Sequence, residues 1–168
     1  MVIIIMGPTG SGKTTVGTLL ARRLAWHFSD ADDFHSAANK HKMRAGIPLT
    51  DADRLPWLAA IHEQIERWLA EKRNVVLACS ALKQKYRDLL GIGPEIRLVY
   101  LKGSYDLIYQ RLLQRKGHFA DEQILAGQFA DLEEPLDAVT VDISQSSAQI
   151  VDEICARLAL ACKKDARV

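Results

Sequence analysis

The segment Gly7-Pro8-Thr9-Gly10-Ser11-Gly12-Lys13-Thr14 constrains this chain more than any other stretch of it. It fits the phosphate-binding loop pattern G-x-x-x-x-G-K-[ST], and it has the neighbours such a loop needs. Before it, Val2-Ile3-Ile4-Ile5-Met6 is an apolar run of strand length; after it, Thr14 to Leu24 carries Val16, Leu19, Leu20 and Leu24 at helical spacing. Glycines let the backbone curl so that successive N–H groups point inward at the positive end of a helix, forming a nest for an anion. Lys13 can then reach the β- and γ-phosphates, and the Thr14 hydroxyl can ligate Mg²⁺. Gly7 to Thr14, with Thr15 behind them, are therefore the expected nucleotide-binding residues, and ATP and Mg²⁺ the expected ligands. A glycine-rich turn with a solvated Lys13 is the plainer alternative, which the flanking strand and helix disfavour.

The rest of the chain repeats the same alternation. Short apolar runs at Val2–Met6, Trp26–Phe28, Val75–Ala78, Ile96–Leu101 and Ala138–Ile143 are separated by helical patterns. The clearest helix is Leu55 to Leu69, where Leu58, Ile61, Ile65, Trp68 and Leu69 form one stripe. Others run from Tyr105 to Lys116, stopping at Gly117, and over Ser147 to Leu160. Strands alternating with helices predict an α/β fold with a parallel sheet covered on both faces. Ligands in such folds sit beyond the carboxyl ends of the strands.

The chain has 168 residues, and no repeat or linker divides it, so a single domain over 1–168 is expected. A formal net charge of +1, with basic residues scattered, gives no basis for general nucleic-acid or membrane binding. No targeting segment is visible. Cys79, Cys155 and Cys162 lack C-x-x-C spacing and are expected to be reduced thiols in a cytoplasmic protein.

What separates a kinase from a generic nucleotide-binding protein is the segment closing the second strand, Phe28-Ser29-Asp30-Ala31-Asp32-Asp33-Phe34-His35. Alternation along an extended chain would put Asp30 and Asp32 on one side. One carboxylate can then serve Mg²⁺ while the other accepts a proton from a substrate hydroxyl. Asp33 suits a helix cap instead. No rival acid is well placed: the third strand runs into Cys79-Ser80, and Asp142 reads as a helix-start residue after the last strand. The expected Mg²⁺ site draws on Thr14 and the Asp30/Asp32 pair; in the kinase reading that the resemblance below implies, Asp30 is expected to serve the metal and Asp32 the attacking hydroxyl.

Over roughly residues 2 to 155, and most recognisably from Asp30 to Trp57, the sequence resembles gluconate kinases, the gluconokinase family. The likeness is carried by Asp30-Ala-Asp-Asp-Phe-His35, Asn39, Lys42-Met43, Gly46-Ile-Pro-Leu49, Asp51 and Asp53-Arg54-Leu-Pro-Trp57. It continues in Leu77-Ala-Cys-Ser-Ala-Leu-Lys83, Tyr86-Arg87-Asp88, Leu101-Lys-Gly103, Arg115-Lys-Gly-His-Phe119, Gln128-Phe129 and Leu132-Glu133. Ser36 and Thr50 depart from the proline and asparagine usual there. The resemblance implies a three-layer α/β/α P-loop kinase fold, with five parallel strands in order 2-3-1-4-5. It also implies transfer of the γ-phosphate of ATP to the 6-hydroxyl of D-gluconate. Members are often homodimers, so a homodimer is an expectation of the resemblance alone.

A polyhydroxylated anion needs a cation and several hydrogen-bonding groups. Among the residues carried over, Arg54 can grip a carboxylate with two bonds. His35, Asn39 and Lys42 share a face if Ser36 begins a helix, and Lys83 opens the helix after the third strand. These five, with Asp32, form the expected substrate set. Trp57, at the head of the apolar stripe, suits the core better than the sugar. Arg111 and Arg115, one helical turn apart beside a lid over about 117–135, are expected to act with Lys13 on the transferring phosphoryl group. Rival readings are another small-molecule kinase such as shikimate kinase, a nucleoside monophosphate kinase, and a non-catalytic ATP-binding module.

Overall fold

The computed structural model describes residues 1–114 and 118–163, and for 118–121 the backbone alone. β1 (Val2–Met6) is the centre of the sheet, its five residues fully enclosed. It pairs in parallel with β3 (Val75–Ala78) on one side and β4 (Ile96–Lys102) on the other, in register Ile4↔Leu77 and Ile4↔Leu98. β2 (His27–Asp30) and β5 (Val139–Asp142) form the two edges, giving the order β2-β3-β1-β4-β5. This is the expected strand order.

Alternation along β1 sends its side chains into two separate cores. Val2, Ile4 and Met6 pack with Trp57, Leu58, Ile61 and Ile65 of α3 (Asp51–Ala70). Ile3 and Ile5 pack with Val16 and Leu20 of α1 (Lys13–Leu24) and with Ile150, Val151 and Ile154 of α7 (Ser147–Arg157). A strand apolar on both faces needs such cover on each side. The remaining helices are α2 (Ala37–Arg44), α4 (Gln84–Leu89), α5 (Tyr105–Leu113) and α6 (His118–Asp131). Among the described residues, no helix is long and apolar enough to cross a membrane.

Several boundaries differ from the sequence reading. α3 begins at Asp51, not Leu55, because Thr50 and Asp53 form a reciprocal capping box, and Pro56 is carried inside the helix. β2 runs to Asp30 rather than ending at Phe28, since Ser29 and Asp30 pair with Leu77 and Ala78 of β3. α7 stops at Arg157, short of Leu160; Ala159 takes a left-handed φ of 52° and turns the chain back. That reversal corrects the expectation of three reduced thiols. Leu160 N–H donates to the Cys155 carbonyl, and Cys155 and Cys162 are joined as a disulfide, their Cα atoms 6.1 Å apart. Cys79 alone keeps a free thiol, which burial pushes up to about 12.

Both departures from the family pattern are helix caps. The Ser36 hydroxyl accepts from Asn39 N–H at the start of α2, and Thr50 Oγ1 accepts from Asp53 N–H at the start of α3.

Candidate active site

The carboxyl ends of β1, β2 and β3 open into a cavity of about 650 Å³. Its floor is the loop between β1 and α1, where Gly10 (φ 77°) and Gly12 (φ 98°) turn the backbone through left-handed conformations. At Gly12 a Cβ would meet nothing within 4 Å, so the dihedral and not the space demands glycine. Thr9, Gly10, Gly12, Lys13, Thr14 and Thr15 line the cavity. Gly7, Pro8 and Ser11 are not part of its lining: Gly7 N–H donates to Ser80 O, Ser11 N–H to Pro8 O, and the Ser11 side chain is buried. Lys13 Nζ reaches back over the loop to Pro8 O at 3.0 Å.

Asp30 and Asp32 both face this floor, though not through the expected alternation. Asp30 ends β2, and Ala31–Phe34 is a 3-10 turn that Asp30 itself caps, its Oδ1 accepting from Asp32 N–H at 3.1 Å. The capping role expected of Asp33 belongs to Asp30. Thr14 Oγ1 donates to Asp30 Oδ2 at 3.2 Å. Desolvation by the surrounding cavity, reinforced by the neighbouring Asp30 and partly offset by Lys13, pushes the Asp32 carboxyl above its ordinary value, although 69% of the side chain is exposed.

The far wall comes from α3 and α4. His35 stacks on Trp57 with ring centroids 4.3 Å apart, and burial followed by the charges of Lys40 and Arg54 pushes its pKa down to about 4. Trp57 therefore belongs to both core and cavity, with its Nε1–H donating to Ala31 O at 2.7 Å. Arg54 Nη1 donates to Tyr86 Oη at 3.0 Å and to Asp131 Oδ2 at 3.2 Å. Lys83 Nζ lies 3.0 Å from Asp131 Oδ1 and 3.7 Å from Asp51, just behind the lining.

The structure does not bring Asn39 and Lys42 to the cavity. Asn39 is buried and its Nδ2 donates to Asp53 O at 2.8 Å, while Lys42 Nζ pairs with Asp53 Oδ1 at 2.7 Å. Both tie α2 to the start of α3. Arg111 Nη2 donates to Ile143 O beyond β5 and is not in the lining. Arg115, its expected partner, lies outside the described residues, as does Gly117 at the start of the expected lid.

The lid region also supplies contacts that the sequence reading missed. Gln123, Ile124, Gly127, Gln128 and Asp131 of α6 roof the cavity, and Gln128 Oε1 accepts from Thr9 N–H at 2.6 Å. Tyr86, in which only a family likeness was read, accepts from Arg54 and donates to Asp51.

The phosphate nest, two carboxylates and a buffered guanidinium thus share one cavity. The family model for shikimate kinase matches residues 9–159. A probable gluconokinase of Mus musculus is 49% identical over 152 residues, covering 80% of this chain and 83% of the relative. The chain belongs to the gluconokinase family. A crystal structure of a gluconokinase from Sinorhizobium meliloti is similar with a TM-score of 0.83 and 43% identity, over 94% of this chain and 90% of that one. An unliganded sugar kinase from Janibacter superposes with a TM-score of 0.87 at 36% identity, over 95% of both chains. Within the gluconokinase fold the cavity lies at the carboxyl ends of the strands, where the architecture places ligands.

Proposed function

We propose that the protein transfers the γ-phosphate of ATP to the 6-hydroxyl of D-gluconate, giving 6-phospho-D-gluconate and ADP. The observation that carries this reading is the layout of the cavity. Phosphate-binding backbone, Asp32, Arg54, His35 and Trp57 line one cavity, with His35 Nε2 3.9 Å from Asp32 Oδ1. An acceptor held by its carboxylate at Arg54 directs its distant hydroxyl toward Asp32 and the loop. The gluconokinase relatives support that acceptor over shikimate.

Thr14 and Asp30 fit Mg²⁺ by chemistry, since a hydroxyl and a carboxylate within hydrogen-bond reach are hard oxygen donors. Among the described residues no group of three or more acidic, histidine or cysteine side chains could hold a metal. That agrees with Mg²⁺ of the kinase type, which keeps waters and phosphate oxygens as ligands. When bound, the ion offsets charge on the phosphates.

The residues of the chain supply the rest. The backbone N–H groups of the loop hold the phosphates. Asp32, already inclined to take a proton, accepts it from the attacking hydroxyl. Lys13 stabilises charge on the phosphoryl group in transit, and Arg111 and Arg115 add to this on lid closure. Neutral His35 offers a hydrogen bond to the polyol without adding charge, and Lys83 backs Arg54. Asn39 and Lys42 brace the start of α3 through Asp53.

Release of ADP should be measured in a coupled assay against D-gluconate, shikimate and AMP. Turnover with gluconate alone is expected. Preference for shikimate or AMP would replace the acceptor assignment, and silence with all three would make the protein a nucleotide-binding module. A homodimer and a cytoplasmic location accord with the family and remain part of the proposal.

A further inference from the structure

Asp131 closes α6, and its carboxylate is shared between two cations. Oδ2 takes Arg54 Nη1 at 3.2 Å and Oδ1 takes Lys83 Nζ at 3.0 Å. Nη1 carries two hydrogens, and Tyr86 Oη, at 3.0 Å, takes the other. Both donors of that nitrogen are thereby committed, which sets the plane of the guanidinium. No described residue engages Nε or Nη2. Those two nitrogens form an edge that matches a carboxylate with two parallel bonds. Arg54 and Asp131 both line the cavity, so this edge belongs to a side chain at the acceptor end.

The charges around the pair point the same way. Arg54, Lys83 and Lys85 are offset by Asp51 and Asp131, with Lys83 and Lys85 both against Asp51. One positive charge is left over, the amount that a monocarboxylate neutralises. Tyr86 stands at the middle, with Arg54, Lys83 and Lys85 each within 6 Å of its ring centroid. Asp131 also sits one helical turn beyond Gln128, which holds the Thr9 N–H of the phosphate loop. The same helical turn thus touches the acceptor cations and the nucleotide floor.

We infer that Asp131 is a positioning residue for the acceptor: by anchoring Arg54 through Nη1 and holding Lys83 beside it, it presents the remaining guanidinium edge to the substrate carboxylate. This rests on the gluconate reading above. The acceptor binds beside Asp131 and does not displace it.

The test is steady-state kinetics of the full chain with Asp131→Asn, Asp131→Glu, Arg54→Lys and the double variant Arg54→Lys/Asp131→Asn. Thermal unfolding of each variant accompanies the kinetics. Wild type must first show gluconate-dependent ADP release; if it does not, the acceptor reading fails before any variant is compared. Given that activity, Asp131→Asn is expected to raise KM for D-gluconate by about tenfold or more, the loss of a charge-assisted bond. KM for ATP and kcat should stay within about twofold, a change below one ordinary hydrogen bond. Asp131→Glu should restore part of the loss, and Asp131→Asn should add little on top of Arg54→Lys, where the two-bonded edge is already gone. An unchanged KM for gluconate would overturn the inference. A lowered KM would overturn it too, by showing that Asp131 competes with the acceptor. Equal losses toward both substrates together with a fall in Tm would reduce Asp131 to a structural brace.

Discussion

The Thr14 hydroxyl donates to the Asp30 carboxylate at 3.2 Å, joining the first turn of α1 to the last residue of β2. The contact brings two oxygen donors from distant parts of the chain to the edge of the phosphate nest. It also makes Asp30 serve twice, since its other oxygen caps the turn that carries Asp32.

Asp30→Asn keeps an oxygen for that cap and removes the charge. The variant should fold normally and need about tenfold more Mg²⁺ for half-maximal ATP binding, the usual scale for disturbing a metal's surroundings. Calorimetric titration of ATP at several Mg²⁺ concentrations checks this, with Mg²⁺-free ADP as the control expected not to change.

Lys13→Ala should leave Tm nearly unaltered and lower kcat by about a hundredfold or more, because its contact strengthens as charge develops on the phosphoryl group. Its present bond to Pro8 O holds the ammonium against the loop. Single-turnover measurements with saturating ATP would distinguish this from weakened binding.

Asp32 gives two linked expectations. The base must be ionised, so kcat/KM should fall as pH drops through a pKa raised by desolvation in the cavity and by Asp30. Asp32→Asn should abolish that limb and reduce kcat by about 10²–10⁴-fold.

His35 should titrate near 4 by NMR, against an ordinary value of 6.5. The unfolded chain binds the proton more readily, so the contribution is fully present above 6.5 and is lost as pH falls from 6.5 toward 4. In that window the gap in Tm between wild type and His35→Gln should narrow with falling pH. A midpoint near 6.5 would mean that the stack on Trp57 does not bury the ring.

Asn39→Ala should act on stability and not on the acceptor. Its Nδ2 bond to Asp53 O links α2 to α3 in a buried place, and removing it should cost about 1–3 kcal/mol. KM for D-gluconate should stay near the wild-type value. A selective rise in that KM would return Asn39 to the substrate set.

Much of the site could be read along the chain because it lies where local pattern changes. The glycine positions of the loop, the apolar runs of β1 and β3, and the acids closing β2 each announce themselves within a few residues. Asp30 and Asp32 were legible as a pair, but the reason was not: a 3-10 turn brings them together where alternation was expected. The start of α3 was hidden by Pro56, whose usual place is the first turn, although Thr50 and Asp53 supply a capping box earlier. Lys42 and Asn39 fell on the expected helix, yet Asp53 draws both away from the cavity.

The sequence by itself determined the glycine-rich loop, the two-sided central strand and the location of the two carboxylates that close β2, since dihedral preference and residue periodicity act over short distances. Only the tertiary structure decided which charges meet. Asp131 reaches Arg54 across 77 residues and Gln128 reaches Thr9 across 119, while Ala159 turns the tail so that Cys162 finds Cys155. Such pairings depend on how helices pack against the sheet, and a polar side chain in a helix carries no local mark of the partner that packing will bring to it.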